Sequence, residues 1–153
     1  MKGVEKFAFM DATAQAALVR RGEVQARELV EAAIARIEKV NPRINAVVRP
    51  MYDEGYGAAS GPIPDGPFRG VPFLVKDLLA AYKGVPMSFG TGNLLNHVPD
   101  HDSELIARYK RAGFIAIGKT NVPEFGLLPV TESRVFGPCR NPWDLNRTSG
   151  GSS

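Results

Sequence analysis

The chain has 153 residues, of which 44% are hydrophobic and 23% charged, and its formal net charge is +3. This composition excludes a disordered tail and a bundle of membrane helices, and the length suits one domain that can bury a core. The basic residues are dispersed, so the charge predicts no nucleic-acid surface. Residues 1–10 carry charges where a signal peptide would be apolar. Together with the single cysteine, Cys139, which fits a structural thiol, these features predict a cytoplasmic protein.

The first third of the chain is predicted to be helical. Asp11 is placed to cap a short helix over 12–20, and Gly22 would end it. A second helix is predicted over about 26–40, because its apolar residues recur at steps of three and four. We expect Asn41-Pro42 to end this helix, since the residue before a proline avoids the helical backbone conformation.

The middle of the chain alternates between strand-like runs and breakers. A short β-branched strand is expected over 44–48. Residues 51–67 are rich in glycine and proline, which predicts a surface connection with at most one broken helical turn. The apolar run 70–75 predicts a strand that enters the interior and ends in Lys76 and Asp77.

A third helix is predicted to open at 102–104 and to end before Gly113. The run 114–117 is apolar on both faces, as is typical of a buried strand in a parallel sheet. Residues 126–153 are predicted to be mostly loop, anchored by Trp143. Helices between buried strands predict an α/β architecture. The residues expected on the buried face of the third helix are Leu105, Ile106, Tyr109 and Ala112.

Two local motifs match binding-site patterns without the geometry that such sites need. Residues 113–120 match the phosphate-loop pattern G-x-x-x-x-G-K-[ST], but the middle positions are the predicted strand itself, and Pro123 would interrupt the helix that should follow. His97 and His101 have the spacing of two metal ligands on a helix, but Pro99 lies between them. We therefore predict neither a nucleotide site nor a metal site.

Lys76 has two interpretations. Because it follows an apolar strand, its side chain can be partly withdrawn from water, and a neutral lysine can act as a general base. The residues alone favour the other interpretation, a solvated lysine paired with Asp77. Residues 149–153 are equally ambiguous: their composition is typical of a flexible linker, and the alternative is a glycine-rich loop that presents serine hydroxyls.

Taken in order, several segments resemble the amidase signature family. The similarity covers about residues 11–153 and is particularly close to the branch of aminohexanoate cyclic-dimer hydrolases. The segments that carry it are 11–16, 41–47, 68–77, 112–114, 118–126, 131–132, 141–143 and 150–153.

The resemblance implies an α/β fold with helices on both faces of a mixed β-sheet. Residues 1–153 would form the N-terminal portion of a single amidase domain, helical over 1–42 and entering the α/β core over 43–153. It also implies amide hydrolysis by a Ser-cisSer-Lys triad without a metal or organic cofactor. The triad lysine matches Lys76, and the bridging serine, which precedes its neighbour through a cis peptide, matches Ser152.

In the family, the nucleophilic serine lies further along the chain than Ser153. We therefore expect the isolated chain to lack both the nucleophile and the oxyanion-hole amides and to be inactive. The expected partner is a small-molecule amide, with no nucleic acid or membrane, and the resemblance allows for a homodimer of the complete protein. Two alternatives stay open: a non-catalytic binding or assembly module, and part of a glutamyl-tRNA amidotransferase A-type subunit.

Overall fold

A computed structural model describes residues 6–152, so residues 1–5 of the predicted helical segment and Ser153 of the predicted glycine-serine loop lie outside the described part. The chain divides into two compact units. The first combines the chain up to Lys39 with Pro50–Leu74 and Ala107–Gly118, and the second combines Val40–Arg49 and Val75–Ile106 with the chain from Lys119 onward.

The first helix, α1, spans Ala12–Arg20 as predicted. Its cap is the predicted one, because the Asp11 carboxylate accepts a hydrogen bond of 2.8 Å from the Ala14 amide. Gly22 follows the helix with φ +68°, a left-handed conformation that costs glycine little.

The second helix, α2, spans Ala26–Ile44 and passes through Pro42, so the predicted end at residue 40 is wrong. In the last turn a proline removes few helical hydrogen bonds, and the Asn45 amide still donates to the Asn41 carbonyl at 2.7 Å. The Asn41 side chain then exchanges hydrogen bonds of 2.7 and 2.8 Å with the backbone of Val47. Because α2 runs through Ile44, the strand that follows starts at Val47, three residues later than predicted.

The third helix, α3, spans Tyr52–Ser60, where we predicted a surface connection. The prediction failed because Gly55 is not a helix breaker here. It lets α3 pack closely against Ile117, since a Cβ on Gly55 would lie 2.9 Å from Ile117 Cγ2. The acidic residues Asp53 and Glu54 in the first turn also favour a helix start at this point.

Three strands form a mixed sheet: β1 (Val47–Pro50), β2 (Pro72–Lys76) and β3 (Ile115–Thr120), in the order β1-β3-β2. Residue numbers rise together across the β3–β2 pair, which is parallel, and in opposite senses across the β1–β3 pair, which is antiparallel. The hydrogen bonds that establish these directions run from Ile115 N to Val71 O, Asp77 N to Thr120 O, Met51 N to Ile117 O and Asn121 N to Ala46 O.

The core of the first unit lies between α2 and β3. The apolar stripe of α2 predicted from its spacing packs against side chains of the strand, and all members of the cluster are buried. The predicted α/β architecture is confirmed. The buried members are Ala26, Val30, Ile34, Ile115 and Ile117.

The fourth helix, α4, spans Glu104–Arg111, and Gly113 follows it with φ +91°. Ile106 is buried as predicted, but Leu105 is exposed, because neighbouring residues of a helix point about 100° apart and cannot share a narrow buried face. Within residues 6–152, no helix combines the length and apolar character of a membrane span.

The chain after residue 126 is mostly loop, with two-residue strands β4 (Glu132–Ser133) and β5 (Gly137–Pro138). Trp143 does not anchor this region, because its side chain is 95% exposed. Local polar contacts hold the loop instead: the Asn141 amide donates to the Arg147 carbonyl, and the Asn141 side chain accepts from the Trp143 amide.

Candidate active site

Lys76 and Ser152 meet in the second unit, although 76 residues separate them in the chain. Lys76 is the last residue of β2, which carries its amine to the edge of the sheet. The amine donates to the Ser152 carbonyl and lies 3.4 Å from the Ser152 hydroxyl oxygen. Both residues are half-buried. The structure thus brings together the two residues that the sequence singled out.

The glycine-serine segment, as far as Ser152, is an ordered loop and not a flexible linker. Thr131, itself buried, donates its hydroxyl to the Gly150 carbonyl at 2.7 Å. The Ser149 amide donates to Cys139, whose own amide donates to Thr131. Cys139 is a buried free thiol whose backbone joins these two contacts, in agreement with a structural position.

A cis peptide bond joins Gly151 to Ser152. We expected the cis bond on the other side of the serine, between Ser152 and Ser153, and Ser153 lies outside the described residues. Gly151 is also held against Thr131, where a Cβ would lie 2.7 Å from the threonine hydroxyl oxygen. A side chain at this position would therefore displace the loop.

Lys76 does not pair with Asp77, because the Asp77 carboxylate forms an ion pair with Lys119 at 3.4 Å. Neither Asp77 nor Lys119 is exposed to solvent. Burial lowers the pKa of Lys119, and the charge of Asp77 partly opposes this effect. Lys119 belongs to β3, so the middle of the 113–120 motif is a strand, as predicted.

Two further residues of this region escaped the sequence analysis. Ser88 is fully buried and donates both its amide and its hydroxyl to the Asp77 carboxylate. Gly126 lies beside Ser152, and a Cβ there would be 3.3 Å from Ser152 Oγ and 2.8 Å from Leu78 Cδ2. The only signal for Gly126 in the sequence was that the residue is a glycine. Its φ of +69° favours a residue without a Cβ.

Among residues 6–152, no group of three or more His, Cys, Asp or Glu side chains could hold a metal ion. His101 contacts the neighbouring carboxylate of Asp100 at 2.7 Å. This contact lowers the pKa of Asp100, which is fully exposed. His97 takes part in backbone hydrogen bonds, to Leu94 and from Met87, within a polar loop.

The Amidase family model matches residues 28–153. This chain belongs to the amidase family. It is 43% identical over 150 residues to a 6-aminohexanoate-cyclic-dimer hydrolase of Paenarthrobacter ureafaciens, and the match covers 95% of this chain and 29% of that protein. It is 40% identical over 144 residues to the A-type subunit of the glutamyl-tRNA(Gln) amidotransferase of Salinispora tropica, and this match covers 90% and 29% of the two chains.

The fold agrees with the family. A structure of 6-aminohexanoate cyclic dimer hydrolase complexed with substrate superposes with a TM-score of 0.88 at 43% identity, covering 94% of this chain and 30% of that one. This confirms the predicted amidase-signature α/β fold and the predicted resemblance to cyclic-dimer hydrolases. The chain spans less than a third of the length of the relatives that it matches.

Proposed function

We propose that this chain carries two members of the Ser-cisSer-Lys triad of an amide-bond hydrolase, with Lys76 as the base and Ser152 as the bridging serine. The observation that carries the proposal is the contact between the Lys76 amine and both oxygens of Ser152. Family membership supports an amide as the substrate class. We propose that the third member, the nucleophilic serine, lies further along the polypeptide, as it does in the family that the chain resembles.

In the proposed reaction, a neutral Lys76 accepts a proton through Ser152 from the nucleophilic serine. The serine oxygen attacks the amide carbonyl, and Ser152 passes a proton to the departing amine. Water then hydrolyses the acyl-enzyme ester and regenerates the serine. The contact of 3.4 Å between Lys76 Nζ and Ser152 Oγ is close to the hydrogen-bond distance that such a transfer needs.

The activity belongs, in this proposal, to a longer polypeptide of which residues 1–153 are the N-terminal portion of a single amidase domain. The chain spans 29% of the cyclic-dimer hydrolase that it resembles. Without the nucleophile and the amides of an oxyanion hole, the isolated chain would not hydrolyse amides. We place the complete protein in the cytoplasm, where a free thiol such as Cys139 stays reduced.

The deciding experiment is an assay of the polypeptide extended beyond Ser153, on linear and cyclic small-molecule amides, with and without Lys76→Ala. We expect the variant to lose nearly all hydrolysis, because the base is removed. Lys83→Ala, at an exposed position of the same unit, is the matched control and should retain activity. Full activity of Lys76→Ala would refute the assignment, and an inactive extended polypeptide would favour a non-catalytic module.

A second candidate is an amidotransferase A-type subunit, supported by the 40% identity to the Salinispora tropica protein. That function would use the same residues, with ammonia leaving the amide to be transferred to another acceptor. Ammonia-dependent transfer by the extended polypeptide together with companion subunits would favour it. Hydrolysis of simple amides with no such transfer would exclude it.

A further inference from the structure

We infer that three buried residues, Asp77, Lys119 and Ser88, position Ser152 against Lys76 through two interlocked turns. These three residues are called the Asp77 cluster below. The inference rests on the proposed function only in naming Lys76 and Ser152 as the reactive pair. Lys119, Asp77 and Ser88 are positioning residues, since none of them contacts Lys76 or Ser152 through its side chain in the described structure.

The Asp77 cluster joins the ends of two adjacent strands. Asp77 follows β2 directly, so it is bonded covalently to Lys76, and its amide donates to Thr120 at the end of β3. Lys119 of β3 neutralises the buried Asp77 carboxylate across 3.4 Å. Because a buried carboxylate is stable only when it is compensated, the ion pair and the two bonds from Ser88 fix the direction of Asp77.

The first turn begins at Ser88. Its hydroxyl oxygen accepts a bond of 3.1 Å from the Gly90 amide, which stabilises Phe89 at φ +55° and Gly90 at φ +71°. Gly90 is pressed against the chain that follows β3, because a Cβ there would lie 2.6 Å from the Val122 carbonyl oxygen. The turn therefore cannot shift without moving residues 122–123.

The second turn repeats this geometry and reaches the bridging serine. The Phe125 amide donates to the Phe89 carbonyl at 2.8 Å, and the two aromatic rings lie 6.1 Å apart. Phe125 has φ +52° and Gly126 has φ +69°. Gly126 then lies against Ser152, where an added Cβ would be 3.3 Å from the hydroxyl oxygen.

Left-handed backbone at a phenylalanine is costly and persists only where surrounding contacts impose it. Two such phenylalanines, Phe89 and Phe125, are joined here by one hydrogen bond, between the Asp77 cluster and the serine. The cluster thus fixes the position of Lys76 through its peptide bond to Asp77. It restricts the position of Ser152 through the two turns. This arrangement accounts for a buried charge pair that the proposed reaction does not use.

The test measures the nuclear Overhauser cross-peak between the Lys76 ε-methylene and the Ser152 β-methylene protons in the isotope-labelled 153-residue chain. Ser88→Ala removes the hydroxyl that links Asp77 to the first turn, and we expect most of the cross-peak intensity to be lost. Ser133→Ala is the matched control. Ser133 is also buried in the second unit and accepts one bond, 3.1 Å from the Phe136 amide, but it lies outside the two turns. Its substitution should leave the cross-peak unchanged.

A second pair of variants tests the charge balance. Lys119→Met leaves the Asp77 carboxylate uncompensated and should also abolish the cross-peak. Lys119→Met combined with Asp77→Asn removes both charges and keeps an amide that can bond Ser88, so the cross-peak should return. If either single variant unfolds the chain, this double variant decides, and its loss of the cross-peak overturns the inference.

The inference and the proposed function fail in different ways. An unchanged cross-peak in Ser88→Ala, or an equal loss in Ser133→Ala, overturns the positioning role and leaves the catalytic pair intact. Absence of the cross-peak in the unsubstituted chain overturns both. Full hydrolysis by Lys76→Ala in the extended polypeptide refutes the proposed function while the geometric result stands.

Discussion

Lys119 and Asp77 form an ion pair at 3.4 Å with neither side chain exposed to solvent. Taking two charges out of water is expensive, and their attraction repays that cost only when the partners stay together. Among the described residues the Lys119 amine has no short hydrogen bond, so Asp77 compensates it chiefly through its charge, across 3.4 Å. Removing one partner of such a pair should therefore reduce the free energy of unfolding more than removing both.

Removal of Lys119 alone should therefore destabilise the chain strongly. We expect Lys119→Met to lower the free energy of unfolding by about 3–5 kcal/mol, the range for breaking a buried pair. The double variant Lys119→Met/Asp77→Asn should lose much less, since no charge stays buried. Urea unfolding of both, with Lys83→Met as an exposed control, measures this difference. A double variant as unstable as the single one would contradict this account.

The same pair predicts how stability depends on pH. Burial, opposed by Asp77 and reinforced by Arg49, lowers the pKa of Lys119 in the folded chain below its ordinary value of 10.5. Between these two pKa values the unfolded chain binds more protons than the folded chain, so the free energy of unfolding rises with pH. Below the folded pKa, the cost of burying the ammonium is present in full.

Urea unfolding at several pH values from neutral to about 10 checks this sign, with Lys119→Met/Asp77→Asn as the reference. The other titrating groups are common to both proteins. We expect the unsubstituted chain to gain stability relative to the double variant as the pH rises. A constant or decreasing difference would show that Lys119 keeps its proton in the folded chain.

Local signals in the sequence predicted the elements whose ends are set locally. Asp11 caps α1 through its own side chain, and Gly22 ends it through its own φ, so both could be read without the fold. Pro42 and Gly55 are local signals that other contacts override. The Asn41 side chain forms hydrogen bonds with the Val47 backbone on the other side of the proline, and Gly55 lets α3 approach Ile117. Neither contact is visible in a hydrophobic pattern.

The candidate site divides in the same way. The resemblance to a family brought out Lys76 and Ser152, and composition alone would have assigned the serine to a linker. Lys119 was missed because a lysine at the end of an apolar run does not reveal that its partner is Asp77, the residue that follows β2. The positive φ values of Phe89 and Phe125 had no sequence signal, because neither residue type favours that conformation.

Thr131 should hold the loop that carries Ser152. Thr131→Val keeps the shape of the side chain but removes the hydroxyl that donates to Gly150, so we expect a loss of about 1 kcal/mol in unfolding free energy. We also expect faster hydrogen exchange at the Ser149 amide, which donates to the Cys139 carbonyl in the same loop. Thr131→Ser retains the hydroxyl and should exchange almost as slowly as the unsubstituted chain. Equal exchange in the valine and serine variants would rule out this role.

Gly126 offers the sharpest steric test, because Gly84 shares its backbone conformation but not its surroundings. Both have positive φ, +69° and +78°, so an alanine at either position costs about 1–2 kcal/mol in backbone strain. Only at Gly126 would the new Cβ also meet neighbours, Leu78 Cδ2 at 2.8 Å and Ser152 Oγ at 3.3 Å. Nothing lies within 4 Å of a Cβ on Gly84.

We therefore expect Gly126→Ala to be less stable than Gly84→Ala by a further ~1–3 kcal/mol, the cost of overpacking. It should also displace Ser152 from Lys76, because the new Cβ would still lie 3.3 Å from Ser152 Oγ after the Leu78 side chain has turned away. Thermal unfolding compares the two stabilities, and the Lys76–Ser152 proton cross-peak reports the displacement. If the two variants were equally stable and both kept the cross-peak, position 126 would tolerate a methyl group. The turn at Gly126 would then not restrict the position of Ser152.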